Sequence, residues 1–269
     1  MPRRTTRSLT GLAIAILGVA TVVSRGAEQR TYQGISDQNP AGARGIYRTG
    51  LVGAFDMSTR TVDGRLRDFS TLGHHGRILG TRSLPGTWGS ALSFPSAADR
   101  VDLPDTTAWA IDGPLSVLLW FRLDTLGLHQ HVLACDDKFA VWLTENNLLR
   151  FVDTVGDGAM TREPLVAGRW YSVAGVFQGT KGTELSSANI RVFIDGRQVA
   201  VDLVGQPSGR PTWNPGRLHD NDACFIGFES HQGEPLHQSL RFGGAIDDVL
   251  VFSRPVTDAE VAIHATRPR

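Results

Sequence analysis

The stretch GGAIDDVLVFSRPVTDAEV, residues 243–261, places two adjacent aspartates inside an apolar run. Side chains alternate between the two faces of a strand, so Asp247 and Asp248 lie on opposite faces, each among apolar neighbours. Both faces of this strand are therefore expected to be buried. A buried carboxylate is costly unless it is paired or binds a metal ion. The stretch thus predicts an interior strand in which each aspartate needs a partner.

Apolar runs of strand length extend outward from this stretch over most of the chain. Gly, Asp, Asn and Pro separate them, many of them alternate, and β-branched or aromatic residues are frequent in them. The longer runs are LVGAFDM from 51, LSVLLWFRL from 115, FAVWLTE from 139, LLRFVD from 148, WYSVAGVF from 170, IRVFIDGRQVAVDL from 190 and AIDDVLVF from 245. Many strands with few helices predict an all-β sandwich, closed or jelly-roll-like.

Two local motifs predict a turn and a helix. In VFIDGRQVAV, Asp195 and Gly196 separate two strand-like runs, which is typical of a two-residue type I′ hairpin turn. Thr257 precedes Glu260 by three residues, which is the spacing of a capping box at the start of a helix. We therefore expect a hairpin at Asp195 and a short helix after Thr257.

The charge balance argues against nucleic acid as a partner. The chain has 27 basic and 27 acidic residues and no long basic stripe, whereas nucleic-acid-binding domains carry a basic patch. Of the acidic residues 20 are Asp and 7 are Glu, and 30 residues are Gly. Asp and Gly favour turns, whereas Glu favours helices, so this composition indicates a turn-rich protein.

The beginning of the chain has the pattern of an export segment. Three arginines among the first seven residues precede an uncharged run, residues 8–24, which is short for a membrane span but suits a signal peptide. We expect residues 1–27 to be a signal peptide or, alternatively, an N-terminal hydrophobic anchor helix that attaches the chain to a membrane. The polar residues 28–48 are expected to form a linker. The protein is therefore expected to be secreted, periplasmic or at the cell surface.

The chain has two cysteines, Cys135 and Cys224. An exported protein can keep a disulfide, and two small buried thiols are the alternative. The sequence leaves both interpretations open.

The region from Leu51 to His264 resembles the LamG-like jelly-roll domain, of the concanavalin A-like lectin/glucanase superfamily. The matching blocks, in order, are LVGAFDMSTRTVDGRLRDFSTLGHHGRI, WGSALSFPSAADRVDLPD, LSVLLWFRLD, AGRWYSVAGVFQG with IRVFIDGRQVA, and FGGAIDDVLVFSRPVTDAEV. The resemblance implies a domain over residues 49–267, made of two antiparallel sheets packed face to face. It also implies that the concave side and its loops are free to bind ligands.

The resemblance further implies a structural calcium ion. Carried onto this chain, the ligands are the carboxylates of Asp68 and Asp247 and the backbone carbonyls around Gly73 and His74, since calcium prefers hard oxygens. The alternative is that Asp68 caps its own turn and that Asp247 accepts backbone N–H groups at a strand end.

The segment GQPSGRPTWNPGRLHDNDA, residues 205–223, is longer than a hairpin loop needs and is a candidate sugar site. Lectin sites combine an aromatic platform with polar side chains that bind hydroxyls. The candidate ligand-binding residues are Trp213, Asn214, His219, Asp220, Asn221 and Asp222. Alternatively, Trp213 anchors the loop to the sandwich. Elsewhere, His129 and His131 are interpreted as loop residues, and a zinc site formed by His231, Glu234 and His237 is a minor alternative.

The sequence favours a binding protein over an enzyme. Glycoside hydrolases of this superfamily carry a Glu-x-Asp-x-x-Glu strand that places two carboxylates on one face, and the chain has no such motif. No nucleophile elbow, His-Glu-x-x-His helix or phosphate loop is present either. We therefore expect a non-catalytic module that binds a glycan or polysaccharide. A protein-interaction or adhesion scaffold is the alternative, and a divergent glycoside hydrolase is the third class.

Overall fold

The computed structural model describes residues 31–32, 46–87, 89–104, 107–135, 138–153, 155–205, 210–215, 224–229 and 240–266. The strands are β1 (Thr31–Tyr32), β2 (Ile46–Tyr47), β3 (Leu51–Phe55), β4 (Arg77–Leu79), β5 (Arg82–Pro85), β6 (Ser90–Ser93), β7 (Arg100–Leu103), β8 (Leu115–Leu123), β9 (Gln130–Cys135), β10 (Phe139–Leu143), β11 (Leu149–Asp153), β12 (Gly158–Thr161), β13 (Trp170–Phe177), β14 (Thr183–Glu184), β15 (Ile190–Ile194), β16 (Arg197–Gln198), β17 (Val201–Val204), β18 (Thr212–Trp213), β19 (Cys224–Ile226) and β20 (Gly244–Phe252). The helices are a 3-10 turn (Thr107–Trp109) and α1 (Asp258–His264).

The strands form two large antiparallel sheets that face each other. Sheet A has the order β17-β12-β11-β10-β9-β19-β7-β4. Sheet B has the order β16-β15-β13-β8-β20-β6-β5, and β3 pairs with β20 beside β6. The expected all-β sandwich of two antiparallel sheets is therefore confirmed.

The first two strands fall within the segment that the sequence predicts as a linker. Thr31–Tyr32 and Ile46–Tyr47 pair with each other in a separate two-stranded sheet. The predicted signal peptide or anchor, residues 1–27, lies outside the described residues. None of the helices in the described part of the chain is long and apolar enough to cross a membrane.

Alternation along the strands sets the interior of the sandwich. In β10, Phe139, Val141 and Leu143 are buried, whereas Ala140 and Trp142 between them are half-buried. Side chains of a strand point alternately to the two faces, so Trp142 lies on the outer face of sheet A. The same alternation in β11 places Arg150 on that outer face.

Sheet B is buried on both faces. One face lines the interior, and the other packs Leu118, Phe193 and Leu250 against Val256 and Val261 of the segment that follows β20. All nine residues of β20 are buried for this reason. The cover provided by α1 explains why this strand is apolar on both sides, as its sequence predicts.

The two local motifs fold as expected. Asp195 and Gly196 have positive φ angles of 51° and 78°, as a type I′ turn requires, and they join β15 to β16. At the start of α1, Thr257 Oγ1 accepts the backbone N–H of Glu260, and the Glu260 carboxylate accepts the backbone N–H of Thr257. The hairpin and the capping box are therefore confirmed.

Cys135 and Cys224 form a disulfide between β9 and β19 of sheet A. The two residues lie directly opposite each other in the antiparallel register. Both side chains are buried, so the bond is part of the interior.

Removing this disulfide is expected to lower the free energy of unfolding by about 2–4 kcal/mol, because the bond constrains the unfolded chain. The linked residues are 89 positions apart, which makes the constraint large. Urea unfolding of a Cys135→Ala, Cys224→Ala double variant measures the effect, and reductant should produce a similar loss in the native protein. An unchanged unfolding midpoint in both cases would contradict the expectation.

Candidate functional site

The two aspartates of β20 have different partners, but the expectation that they lie on opposite faces is wrong. A register shift follows Asp247, so Asp247, opposite Trp120, and Asp248, against His264, both lie on the outer side of sheet B. Asp247 is fully buried, and its Oδ2 accepts the backbone N–H of Thr87 at 2.7 Å. A Cβ built on Gly86 would lie 2.5 Å from the same oxygen, so glycine is needed for this close approach. Asp248 has a positive φ of 46° at a register shift in β20, and its Oδ2 lies 3.3 Å from Nε2 of His264.

His264 connects Asp248 to the rest of sheet B. Its Nδ1 lies 3.2 Å from Oγ of Ser172, and its backbone carbonyl accepts the Trp120 indole N–H at 3.0 Å. Serine, histidine and aspartate also form catalytic triads, but Ser172 is only 2% exposed, so no substrate reaches its hydroxyl. This group therefore fastens α1 to the outer face of sheet B.

Asp68 accepts hydrogen bonds from its own turn and from β3. Its Oδ1 accepts the backbone N–H groups of Ala54 and Ser70, at 2.9 and 2.8 Å. Its Oδ2 accepts the Ser70 hydroxyl and the backbone N–H of His74, both at 2.7 Å. The carbonyl of Gly73 accepts a backbone N–H from within the same turn. These bonds match the interpretation in which Asp68 caps its own turn.

In this arrangement the hydrogen bonds to Asp68 occupy the carboxylate that is expected to bind calcium. Calcium takes about six to eight oxygen ligands. A carboxylate offers about four lone-pair positions, and four donors already bind Asp68. Among the residues that the structure describes, no three His, Cys, Asp or Glu side chains are grouped as metal ligands. Calcium binding by Asp68, Gly73, His74 and Asp247 remains a prediction.

Trp213 is part of the interior and not a sugar platform. It is 0% exposed, stacks on Phe177 with 4.4 Å between ring centroids, and packs against Phe151 at 5.4 Å. A buried ring cannot stack on a ligand in solvent. The prediction of Trp213 as a ligand-binding residue is therefore wrong, and its alternative, that Trp213 anchors the loop, describes the structure.

Two buried aspartates hold the backbone on either side of Trp213. Asp153 Oδ2 accepts the backbone N–H of Asn214 at 2.6 Å, and Asp157 Oδ2 accepts that of Thr212 at 2.9 Å. Burial raises the pKa of Asp153 to about 6. The Asn214 side chain donates to Thr212 Oγ1. The polar groups of this segment thus serve its own anchoring.

Several candidate residues lie outside the described part of the chain. They are the ligand candidates His219, Asp220, Asn221 and Asp222, and the zinc candidates His231, Glu234 and His237.

Sheet A carries a row of stacked planar side chains on its outer face. Trp142 on β10 is flanked across the sheet by His131 on β9 and Arg150 on β11. The Trp142 ring centroid lies 4.1 Å from that of His129 and 5.7 Å from that of His131. The guanidinium carbon of Arg150 lies 4.5 Å from the Trp142 centroid. We call His129, His131, Trp142, Arg150 and Glu229 the Trp142 stack.

One end of the Trp142 stack is a hydrogen-bonded group. His131 Nε2 lies 2.7 Å from Oε2 of Glu229 and 2.9 Å from Nε2 of His129. Burial, followed by the charge of the neighbouring His131, lowers the pKa of His129 to about 4. His129 is therefore neutral at neutral pH, and a neutral imidazole can both donate and accept a hydrogen bond. This end can serve the hydroxyl groups of a ligand.

The Trp142 stack was missed by reasoning from sequence. The sequence pattern predicts His131 as a loop residue, whereas it lies on β9. The alternation of FAVWL and LRFVD could have placed Trp142 and Arg150 on an outer face. The sheet register that brings them together is a long-range property, and the run HQH alone does not reveal it.

A groove of about 1020 Å³ lies at one edge of the sandwich, between residues 161–166 and the β15–β16 hairpin. Two of its arginines form ion pairs, Arg162 with Asp202 at 2.8 Å and Arg169 with Asp195. Their charges are thus balanced within the protein, and we assign no ligand to the groove.

The laminin G family model Laminin_G_3, described as the concanavalin A-like lectin/glucanases superfamily, matches residues 95–262. The chain belongs to the concanavalin A-like lectin/glucanases superfamily. The resemblance found in the sequence blocks is therefore confirmed. No curated protein sequence matches the chain.

Solved structures show which domains share this superfamily fold. Domain 4 of AbnA, a GH43 extracellular arabinanase from Geobacillus stearothermophilus in complex with arabinotriose, is 17% identical with a TM-score of 0.54. The match covers 80% of this chain and 98% of that one. Trypanosoma rangeli sialidase in complex with 2,3-difluorosialic acid is 14% identical with a TM-score of 0.55, and the match covers 80% of this chain and 33% of that one.

The binding domain of Paraclostridial Mosquitocidal Protein 1 is 12% identical with a TM-score of 0.56. Here the match covers 80% of this chain and 52% of that one. The chain thus spans about a third of the sialidase and about half of this binding domain. At such identities the comparisons show a common fold, and fold alone does not determine function.

Proposed function

We propose that this chain is an exported, non-catalytic carbohydrate-binding module, and that it binds its glycan on the outer face of sheet A at the Trp142 stack. The Trp142 stack carries the proposal, because it combines aromatic planes with hydrogen-bonding groups at both ends. The superfamily supports a carbohydrate ligand. So does the fold shared with an arabinanase domain that was solved with arabinotriose.

The arrangement of the stack suits a sugar. Sugars present apolar C–H groups and hydroxyls together, so their sites need apolar surface beside donors and acceptors. Trp142 is half-buried, and His129 and Arg150 cover its two ring faces, so the edge of the indole supplies the apolar surface. His129 and Glu229 supply hydrogen-bonding groups. Packing between His131 and Arg150 holds the indole in place, so little side-chain entropy is lost on binding.

A binding role without hydrolysis is supported by the sequence motif that the chain lacks. Glycoside hydrolysis uses two carboxyl groups about 5–10 Å apart on either side of the scissile bond. Glu229 of the Trp142 stack is hydrogen-bonded to His131, and a second carboxylate, Glu145, acts on the charge of His129. The chain lacks the Glu-x-Asp-x-x-Glu strand motif.

Export is supported by the disulfide, since such bonds persist in oxidising compartments. It is also supported by the pattern of residues 1–27. N-terminal sequencing of the protein from the producing cell's exterior would test export. Recovery of the full chain only from the cytoplasm would contradict it.

Replacing Trp142 with alanine is expected to weaken glycan binding about tenfold, because the aromatic surface is lost. A glycan array followed by calorimetry on the best ligand measures this for residues 28–269. The matched control is Trp170→Ala, since Trp170 is a half-buried tryptophan of sheet B beside Arg122. The control should bind as the native chain does.

The same array, run in millimolar calcium and again with chelator, tests the calcium prediction. Binding lost in chelator would establish a functional calcium ion. Equal binding in both would make calcium dispensable for binding. Absence of binding to every glycan would contradict the carbohydrate proposal and favour the protein-interaction alternative.

A further inference from the structure

Arg150 of the Trp142 stack differs from the other arginines on the outer face of sheet A. Arg77 and Arg100 both pair with Asp102, each at 2.7 Å, and Arg162 pairs with Asp202. In the described part of the chain, no carboxylate lies within 4 Å of Arg150. Its Nη2 has a long hydrogen bond, 3.3 Å, to the carbonyl of Gly156.

The charge of Arg150 is only partly compensated by the protein. Burial lowers its pKa, and Asp157 opposes that effect from beyond ion-pairing distance. Its Nε is enclosed and has no hydrogen-bond partner within the described ranges. The Trp142 ring lies under the guanidinium at 4.5 Å and supplies a cation–π contact. A partly desolvated cation of this kind gains from an added anion.

We propose that Arg150 binds the carboxylate of an acidic sugar, so that the Trp142 stack prefers glycans containing uronic acids over neutral ones. A guanidinium matches a carboxylate through two parallel N–H···O bonds, and because Nε is enclosed these bonds come from Nη1 and Nη2. The inference rests on the proposed function, because it names the ligand class of the same face.

The order of the strands determines how the acidic glycan is oriented on the Trp142 stack. Arg150 and His131 stand on opposite sides of Trp142, on strands two positions apart, so they are separated by about 10 Å. Glu229 lies at the His131 end and would repel a ligand carboxylate. The carboxylate therefore binds at the Arg150 end, and sugar hydroxyls bind at the histidine end.

The test compares acidic oligosaccharides with their own methyl esters. Oligogalacturonate and oligomannuronate are each measured by calorimetry beside the esterified form, which has the same chain without the charge. The native protein should bind at least one acid about tenfold or more tightly than its ester, as expected for a hydrogen-bonded charge pair. Arg150→Gln should remove this difference, whereas any loss of indole packing should weaken binding of acid and ester alike.

Two further variants serve as controls for the effect of Arg150→Gln. Arg162→Gln removes an exposed arginine that already has a carboxylate partner, so it should bind as the native protein does. Arg150→Lys keeps the charge without the planar fork and should retain part of the preference. Thermal melts check that each variant is folded.

The outcomes separate this inference from the proposed function. Equal affinity for acid and ester, or an acid preference that survives in Arg150→Gln, would overturn the inference and leave glycan binding intact. Binding to neutral glycans but not to acidic ones would also overturn the inference and leave glycan binding intact. Absence of binding to acids, esters and neutral glycans would overturn both.

Discussion

Replacing Trp213 with alanine is expected to lower the free energy of unfolding by about 3–5 kcal/mol. The side chain is fully buried against Phe177 and Phe151, so its removal loses apolar contacts and leaves a cavity in the interior. Urea unfolding should show a lower midpoint with an unchanged slope. Trp213→Phe should cost less, because it keeps an aromatic ring in the same space.

The control for this experiment is Trp170→Ala, which removes a tryptophan that is only half-buried. The outcome also decides between the two interpretations of Trp213. A variant that is nearly as stable as the native chain and yet loses glycan binding would contradict the structure and restore Trp213 as a ligand platform.

Replacing His264 with leucine is expected to lower the free energy of unfolding by about 3 kcal/mol or more, because it removes a partner from a buried carboxylate. Asp248 and His264 are both buried, and their side chains meet at 3.3 Å under α1. Adding Asp248→Asn removes the charge, and asparagine tolerates the positive φ at that position. The double variant should therefore recover part of the loss.

A double-mutant cycle in urea measures this coupling. The single variants Asp248→Asn and His264→Leu, together with the double variant, give the interaction free energy between the two side chains. Strict additivity would show that the pair contributes nothing to the attachment of α1.

The fold could be predicted from sequence because its signals are local. The alternation of FAVWL, the Asp195-Gly196 turn and the Thr257–Glu260 capping box each depend on residues a few positions apart. The ordered blocks around them then indicated the superfamily. The class of fold can therefore be predicted from short-range patterns, without knowledge of contacts between distant residues.

The site could not be predicted in the same way. Trp213 stands among Pro, Asn and Gly, which is typical of an exposed loop, yet it stacks on Phe177, 36 positions earlier in the chain. The Trp142 stack joins three strands and Glu229, and only the pairing register brings these residues together. Cys135 and Cys224 meet for the same reason. Such contacts depend on tertiary structure, which cannot be inferred from composition and residue spacing alone.

The strand β20 is the last one described along the chain, yet it lies in the middle of sheet B. It pairs with β8 on one side and with β6 and β3 on the other, so that Leu250 lies opposite both Leu118 and Ala54. Before the ribosome has made residues 244–252, β3 and β8 have unpaired edges, and unpaired edges promote aggregation. Sheet B therefore closes only after all its other strands have been made, and a chain truncated before β20 would be an aggregation-prone fragment instead of a smaller working domain.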